Sequence, residues 1–159
     1  MAEDEQKIKF EQYRDYTASA EKNSDRRGEC MKLFVKLNSV YLVFIGAAFG
    51  LLDDRKRFAA LLLVCIVGLL SAGLFALKLF SYKRLNSAKY QVIQEMEQDL
   101  PFSPYTDEWN ILGGGKDKRK YVPVSHIDVI IVVVIGAAYL MAILGLMFFH
   151  IRVIVNFVS

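Results

Sequence analysis

Hydrophobic and polar positions are separated along this chain into long blocks, and the blocks alternate. Three uncharged apolar runs cover Leu37 to Leu52, Phe58 to Leu77 and Val129 to Phe149, and nearly all charged residues lie before or between them. An α-helix rises about 1.5 Å per residue, so that about 20 apolar residues span the ~30 Å hydrocarbon core of a bilayer. The second and third runs reach this length, which predicts a multi-pass membrane protein.

The first apolar run is shorter, and we expect it to be lengthened by residues 33–35. Lys36 lies inside the lengthened segment, where its ammonium group can extend along its own aliphatic stem into the lipid headgroups. The chain is therefore predicted to be an all-α integral membrane protein with three transmembrane helices. The predicted transmembrane helices are residues 33–52, 58–80 and 127–150.

The polar blocks predict a helical region outside the membrane, formed by an N-terminal helix and an extension of the second span. Residues 5–29 contain no proline and repeat apolar side chains at mixed spacings of three and four, which predicts a helix within residues 1–32 and a break near Gly28. No glycine or proline interrupts Ser81 to Leu100, so the second span is expected to continue as one helix to about Asp99.

The rest of the middle polar segment, residues 81–126, is predicted to be helical with a loop. Pro101 ends the long helix. Ser103 followed by Pro104 predicts the N-cap and first position of a short helix, and three consecutive glycines at 113–115 are expected to end it. Ser125 is expected to cap the third transmembrane helix.

The basic residues predict the orientation of the chain in the membrane, because Lys and Arg near span ends are retained in the cytoplasm. They are concentrated in residues 1–32 and 81–126. The opposite ends of the predicted spans carry only Arg55, Lys56, Arg57 and Arg152. We therefore predict a cytoplasmic N-terminus and middle segment, a tight turn outside at residues 53–57, and an external C-terminal tail at residues 151–159.

Small residues four positions apart occur in each predicted span. Between helices bathed in lipid, association depends on close backbone approach at such residues. The predicted packing pairs are Gly46 with Gly50, Gly68 with Ala72, and Ala138 with Ala142.

An apolar stripe at helical spacing runs along residues 85–100, and the short helix adds a tryptophan. Such a stripe requires a covering surface, which the sequence leaves open between the N-terminal helix, a neighbouring copy and a cytosolic partner. The residues predicted for this oligomer or partner face are Leu85, Val92, Met96 and Trp109.

Candidate chemistry in the chain is sparse. Arg119 and His126 are separated by six residues, a spacing seen in the Arg–His motif of metal-independent HEPN ribonucleases, but a basic cluster and a residue after a helix cap are the better explanation of them. Glu95, Glu97 and Asp99 diverge around the helix, which predicts a solvated face.

No nucleophile with its base and no His/Cys cluster at metal spacing occurs, so neither a cofactor nor a metal is expected. The net charge of +3 is small and mixed in sign, which makes nucleic acid an unexpected partner.

The stretch LNSAKYQVIQEMEQDLPFSPYTDEW at residues 85–109 resembles the RipA family of octameric bacterial inner-membrane proteins. The resemblance also includes the basic run at residues 118–120 and Pro123, Ser125 and His126 before the last span, and it covers most of the chain. It implies a small helical protein that oligomerises in the cytoplasmic membrane.

The RipA family is similar in plan to the membrane-pore accessory protein of RNA-targeting type VI CRISPR systems, which enhances antiphage defence. That protein carries a degenerate HEPN-like Arg/His pair, for which Arg119 and His126 would be the matching positions. The leading hypothesis is therefore a non-enzymatic homo-oligomer in contact with membrane lipid, forming a pore in stress or antiphage defence. The alternatives are a membrane-tethered HEPN-like ribonuclease and a passive scaffold for a cytosolic defence partner.

Overall fold

The computed structural model describes residues 2–115 and 120–158, which form four α-helices and, within those ranges, no β-strand. Three of the helices are long and apolar enough to cross a membrane, which confirms the predicted all-α class with three candidate spans. The helices are α1 (Ala2–Leu51), α2 (Asp54–Glu97), α3 (Pro104–Ile111) and α4 (Val124–Val158).

The chain divides into two compact units. The polar unit contains residues 2–29, 79–115 and 120–127, and the apolar unit contains residues 30–78 and 128–158. The helices α1, α2 and α4 each contribute residues to both units. Each unit is held together by a different kind of contact.

The two longest helices are continuous. The helix α2 runs unbroken to Glu97, as expected from the absence of glycine and proline. The expected break at Gly28 is wrong, because α1 continues through it. Glycine inside a helix costs only about 1 kcal/mol relative to alanine, which the flanking turns of a long helix readily offset.

The turn between α1 and α2 is shorter than predicted, since only Leu52 and Asp53 lie outside the helices. The Asp53 carboxylate accepts a hydrogen bond from the backbone N–H of Lys56 at 3.0 Å, and its carbonyl accepts one from the N–H of Arg57 at 2.7 Å. Because Asp53 caps the helix in this way, residues 54–57 join the first turn of α2 instead of the loop.

In the polar unit, the first half of α1 packs antiparallel to the last part of α2. Asn23 donates to the side chain of Asn86 at 3.4 Å, and Lys9 forms an ion pair with Asp99 at 3.5 Å. Ile93 at the centre of the contact is fully buried. The N-terminal helix therefore lies along the predicted apolar stripe and covers part of it within the same chain.

In the apolar unit, α4 packs antiparallel to α2. The Phe58 ring stacks on His150 with centroids 4.1 Å apart, and farther along the pair Gly136 lies against Ala72. On α1, Tyr41 lies edge-on to the Tyr139 ring of α4 at 6.3 Å. These contacts join all three long helices.

Most of the apolar surface in the long helices remains uncovered in a single chain. Only 11%, 22% and 17% of the most apolar windows of α1, α2 and α4 are buried. Leu42, Leu74 and Phe148 are each about two-thirds exposed or more. Such surface is covered by lipid or by other copies of the chain, because a soluble monomer rarely exposes contiguous apolar patches of this size.

Candidate functional site

A buried carboxylate organises the polar unit. Glu97 is 2% exposed, so the solvated face predicted for Glu95, Glu97 and Asp99 is wrong at this one position, whereas the other two acids are exposed. Both oxygens of the Glu97 carboxylate accept hydrogen bonds from groups on two other helices. This burial could not be predicted from the sequence, because Tyr13 is 84 residues away and Tyr105 and Thr106 reach the carboxylate only where α3 folds back onto α2.

Glu97 caps the short helix α3. Its Oε1 atom accepts from the backbone N–H of Tyr105 at 2.8 Å, and its Oε2 atom accepts from the N–H and the hydroxyl of Thr106 at 2.8 and 2.6 Å. Ser103 occupies the predicted N-cap position and Pro104 follows it, but the Ser103 hydroxyl makes no capping bond. A carboxylate at a helix N-terminus also interacts favourably with the helix dipole, so Glu97 replaces the expected serine cap.

The fourth bond to Glu97 comes from α1. The Tyr13 hydroxyl donates to Glu97 Oε1 at 2.9 Å, which ties α1, α2 and α3 together through one side chain. Burial by itself raises the pKa of Glu97, but the hydrogen bonds from Thr106, Tyr105 and Tyr13 outweigh it and hold the pKa below its ordinary value. Burial and this bond raise the pKa of Tyr13, so the phenol stays a donor.

A cleft of about 480 Å³ opens in the polar unit beside this cluster. Three basic side chains line it, contributed by α1, α2 and α4, together with one acid from α3. These four residues are Arg27, Lys83, His126 and Glu108. The cleft is therefore lined by more basic than acidic side chains.

Aromatic rings form much of the remaining wall of the cleft. They come from α2, from α3 and from the segment before α4, and they are Tyr90, Tyr105, Trp109 and Tyr121. The Tyr90 and Tyr105 rings contact each other with centroids 5.8 Å apart. Burial raises the pKa of Tyr105, so its hydroxyl remains protonated near neutral pH.

The sequence-predicted His126 lies in this cleft and contacts Lys83. The Lys83 Nζ and His126 Nε2 atoms are 2.8 Å apart, a distance at which the ammonium donates to an unprotonated ring nitrogen. Arg119, the other member of the predicted pair, lies outside the described residues.

The helix α4 begins at Val124, so Ser125 lies inside its first turn and not at the predicted cap position. Within residues 2–115 and 120–158, no three His, Cys, Asp or Glu side chains are grouped as metal ligands.

The indole of Trp109 is held against the glycine segment that follows α3. Gly113, Gly114 and Gly115 have φ values of 85°, 58° and 74°, a left-handed conformation that glycine adopts without strain. A Cβ atom at Gly115 would come within 2.9 Å of the Trp109 ring. The glycines therefore both end the helix, as the sequence predicts, and allow the backbone to approach the indole.

The predicted oligomer or partner face is divided by the structure. Leu85 and Trp109 are 48% and 37% exposed, and Val92 and Met96 are half-buried. Trp109 lines the cleft, and the other three residues do not. A role in oligomer or partner contacts stays a prediction for all four.

One predicted small-residue pair in the apolar unit lies at a contact between helices. A Cβ atom at Gly68 would lie 2.6–2.7 Å from three carbons of the Tyr139 ring, and Ala72 is 3% exposed beside Gly136. The absence of a side chain at Gly68 thus allows the ring of α4 to lie directly on the backbone of α2.

Tyr139 also makes the polar contact between α4 and α1. Its hydroxyl donates to Asn38 Oδ1 at 2.8 Å, and Asn38 Nδ2 donates to the Phe34 carbonyl at 2.8 Å. The Tyr139 side chain therefore satisfies its polar atom within the unit while its ring fills the space above Gly68. The sequence did not point to Tyr139 and predicted Glu97 to be solvated, because both side chains act through partners on other helices.

The other two predicted small-residue pairs are exposed. Cβ atoms at Gly46 and Gly50 would have no atom within 4 Å, and Ala138 and Ala142 are exposed on α4. These positions do not serve packing within one copy of the chain.

Comparison with known proteins gives one match. The octameric membrane protein family (8xMP) matches residues 10–150, which include all four helices wholly or in large part. No curated protein and no solved structure matches the chain. With its spans, its uncovered apolar surface and a match over most of its length, the chain belongs to the octameric membrane protein family.

Proposed function

We propose that eight copies of this chain form a ring in the bacterial inner membrane and enclose a pore, with the N-terminus in the cytoplasm. The family supports the octamer, and the chain's own surfaces support the arrangement around an opening. The main support for the pore is the exposed side of α1 within the apolar unit.

This α1 face combines exposure with polar and small side chains. Lys36, Ser39, Val43, Gly46 and Gly50 recur at spacings of three or four residues, so they share one side of the helix, and all are exposed. Phe34, on the opposite side, is fully buried against Phe75. The α1 face therefore points away from the rest of the unit.

Lys36, near the headgroup end of the span, and Ser39, which donates to the Val35 carbonyl at 3.1 Å, make this face more polar than the exposed face of α4. A charged side chain inside a membrane segment usually faces the bundle interior or a water-filled cavity. The exposed positions of α4 between residues 129 and 149 carry no polar side chain, so α4 is the better lipid or subunit contact. We assign the α1 face to the opening and the exposed Ala138 and Ala142 of α4 to the contact with a neighbouring copy.

Ring closure requires each copy to offer two different surfaces, because a ring forms by head-to-tail contacts. Small residues on α4 allow a neighbouring helix to approach its backbone closely, which is the usual basis of contacts in lipid. The small residues at Gly46 and Gly50 would instead keep an opening on the ring axis from being filled by side chains.

Charge reversal on the α1 face tests the pore. We expect the purified octamer to conduct in planar bilayers, and Lys36→Glu to shift its cation-over-anion permeability by about tenfold, which corresponds to about 1.4 kcal/mol. Lys78→Glu, an exposed lysine of α2 in the same unit, is the matched control and is expected to leave selectivity unchanged. The reversal potential in a salt gradient measures both, and native mass spectrometry checks that each variant remains octameric.

Two results would contradict the pore. One is an intact octamer that conducts no ions in any lipid composition, which would favour the passive scaffold. The other is an equal shift in selectivity by Lys36→Glu and Lys78→Glu, which would show that α1 does not line the opening. A monomer in mild detergent would contradict the ring itself.

A role in stress or antiphage defence is the finer part of the proposal, and it is supported by the resemblance to RipA-type proteins and to the CRISPR-associated membrane pore. The ribonuclease alternative requires Arg119, which lies outside the described residues, to act with His126, and it stays an alternative. We favour a non-enzymatic pore because the exposed α1 face supports it.

A further inference from the structure

We propose that the cleft in the polar unit binds a nucleoside monophosphate, with its phosphate against Lys83 and Arg27 and its base among the aromatic rings. This inference does not depend on the pore, because every residue that carries it lies in the polar unit. It assigns a ligand to a cavity that the assembly of the membrane helices leaves unexplained.

The size of the cleft suits a small ligand. Its volume of about 480 Å³ falls within the ~300 to 1,000 Å³ that small-molecule sites occupy. The walls come from all four helices, so the ligand would be enclosed by side chains of separate elements and not lie on a single helix face.

The charge of the cleft selects an anion. Arg27 and Lys83 carry two positive charges against the one negative charge of Glu108, which is the acid lining the cavity in the part of the chain that the structure describes. Lys83 Nζ lies 2.8 Å from His126 Nε2, so a neutral imidazole stands beside the ammonium as a further hydrogen-bonding group. A phosphate there could accept hydrogen bonds from the ammonium and the guanidinium at once.

The aromatic and amide groups select a planar base as the other half of the ligand. Tyr90, Trp109 and Tyr121 line the cleft, and stacking on such rings is the usual way in which proteins hold an unpaired base. The Gln91 and Gln94 side chains on the same cleft can both donate and accept at a base edge. A lipid headgroup would use the phosphate contacts but not the rings.

The chain contains its own reporter for this binding. Trp109 is the single tryptophan of the sequence and lines the cleft at 37% exposure. We would titrate the full-length octamer in a neutral detergent with AMP and record tryptophan emission excited at a wavelength that AMP does not absorb. A saturable change is expected with AMP, and at least about tenfold weaker responses with adenosine or inorganic phosphate.

Variants of α2 locate the site. Lys83→Gln is expected to weaken AMP binding about tenfold, and Lys83→Arg, which keeps the charge, is expected to stay within about threefold of the wild type. Lys89→Gln removes the same charge from a lysine on the same helix that contacts Ser19 outside the cleft, and it is expected to leave the affinity unchanged. Near-UV circular dichroism of Trp109 checks that each variant remains folded.

Three outcomes would overturn the proposal. They are no saturable change with AMP, an equal loss in Lys83→Gln and Lys89→Gln, and a response to phosphatidylglycerol in mixed micelles without a response to AMP. The last would identify the phosphate as a lipid headgroup. Conductance and octamer mass are measured on the same sample, so a failure here is distinct from a failure of the pore.

Discussion

The polar unit and the apolar unit are stabilised by opposite means. In the polar unit, four hydrogen bonds converge on one carboxylate, Glu97, and link three helices. In the apolar unit, the close packing of the Tyr139 ring on the backbone at Gly68 joins two helices instead, and one hydrogen bond from Tyr139 to Asn38 adds the third.

The difference follows from what each unit can gain by folding. Apolar helices in lipid gain nothing from leaving water, so they depend on close packing at small residues, and a hydrogen bond between them contributes only about 0.6 kcal/mol on average. A hydrogen bond to a charged group in a water-soluble fold contributes about 1.5–3 kcal/mol. Substitutions that disturb close packing should therefore destabilise the apolar unit most, and substitutions that remove a charge should destabilise the polar unit most.

The largest effect is expected from Gly68→Ala. Its new Cβ atom would lie 2.6 Å from ring carbons of Tyr139, and the side chain cannot give way without leaving Asn38. We expect a loss of about 3 kcal/mol, at the upper end of overpacking costs. Thermal unfolding in detergent, followed by circular dichroism, measures it.

Gly73→Ala is the matched control on the same helix. A Cβ atom at Gly73 would have no atom within 4 Å, so only helix propensity changes, and alanine is favoured by up to about 1 kcal/mol. If Gly73→Ala is as harmful as Gly68→Ala, the packing of Tyr139 on glycine is not what stabilises this unit.

The next effect is expected from Glu97→Gln. The amide group would place donors opposite the N–H groups of Tyr105 or Thr106, and we expect the polar unit to lose about 2 kcal/mol. Glu95→Gln changes an exposed carboxylate two residues away and is expected to change stability by less than about 0.5 kcal/mol. Trp109 emission during denaturant unfolding reports the polar unit.

Acid titration sharpens the Glu97 result. Glu97 lies outside the predicted span at 58–80, and its pKa is lower in the folded protein than in the unfolded chain, so its contribution is present above the ordinary glutamate pKa of about 4.3. That contribution is lost as the pH falls through the lowered folded value. The Glu97→Gln variant should lack this part of the acid transition, and an unchanged transition would show that Glu97 is not the group responsible.

The smallest effects come from a matched pair of tyrosines. Tyr13→Phe removes a bond to a carboxylate and should cost the polar unit about 1.5 kcal/mol, whereas Tyr139→Phe removes a neutral bond in the apolar unit and should cost about 0.6 kcal/mol. Thermal unfolding of both variants under one condition gives the comparison. Equal losses would mean that the two units do not differ in how they use hydrogen bonds.

The sequence predicts those parts of the fold that depend on local pattern. Two apolar runs long enough to cross a bilayer core, and a shorter third, predict the spans, and the absence of glycine and proline from residues 81–97 predicts the extension of α2. Pro104 predicts the start of α3 and the glycines at 113–115 predict its end. Each of these signals lies within a few residues of the structure it determines.

The sequence does not predict features that depend on distant partners. Glu97 lies between two acids that are exposed, and only the fold brings Tyr13, 84 residues away, to its carboxylate. The ring that occupies the space above Gly68 belongs to Tyr139 on another helix. The sequence therefore predicts Gly68 as a packing residue but does not indicate which side chain packs on it. Lys83 and His126 are likewise 43 positions apart.

The two-residue turn at Leu52 and Asp53 also constrains how the protein is made. With only two residues between them, α1 and α2 are neighbours from synthesis onward. In the predicted orientation, with this turn outside, we expect the two apolar segments to enter the bilayer together as a hairpin, so that their favourable transfer offsets the cost of moving the charged tip. A lengthened turn would then let the two helices insert separately.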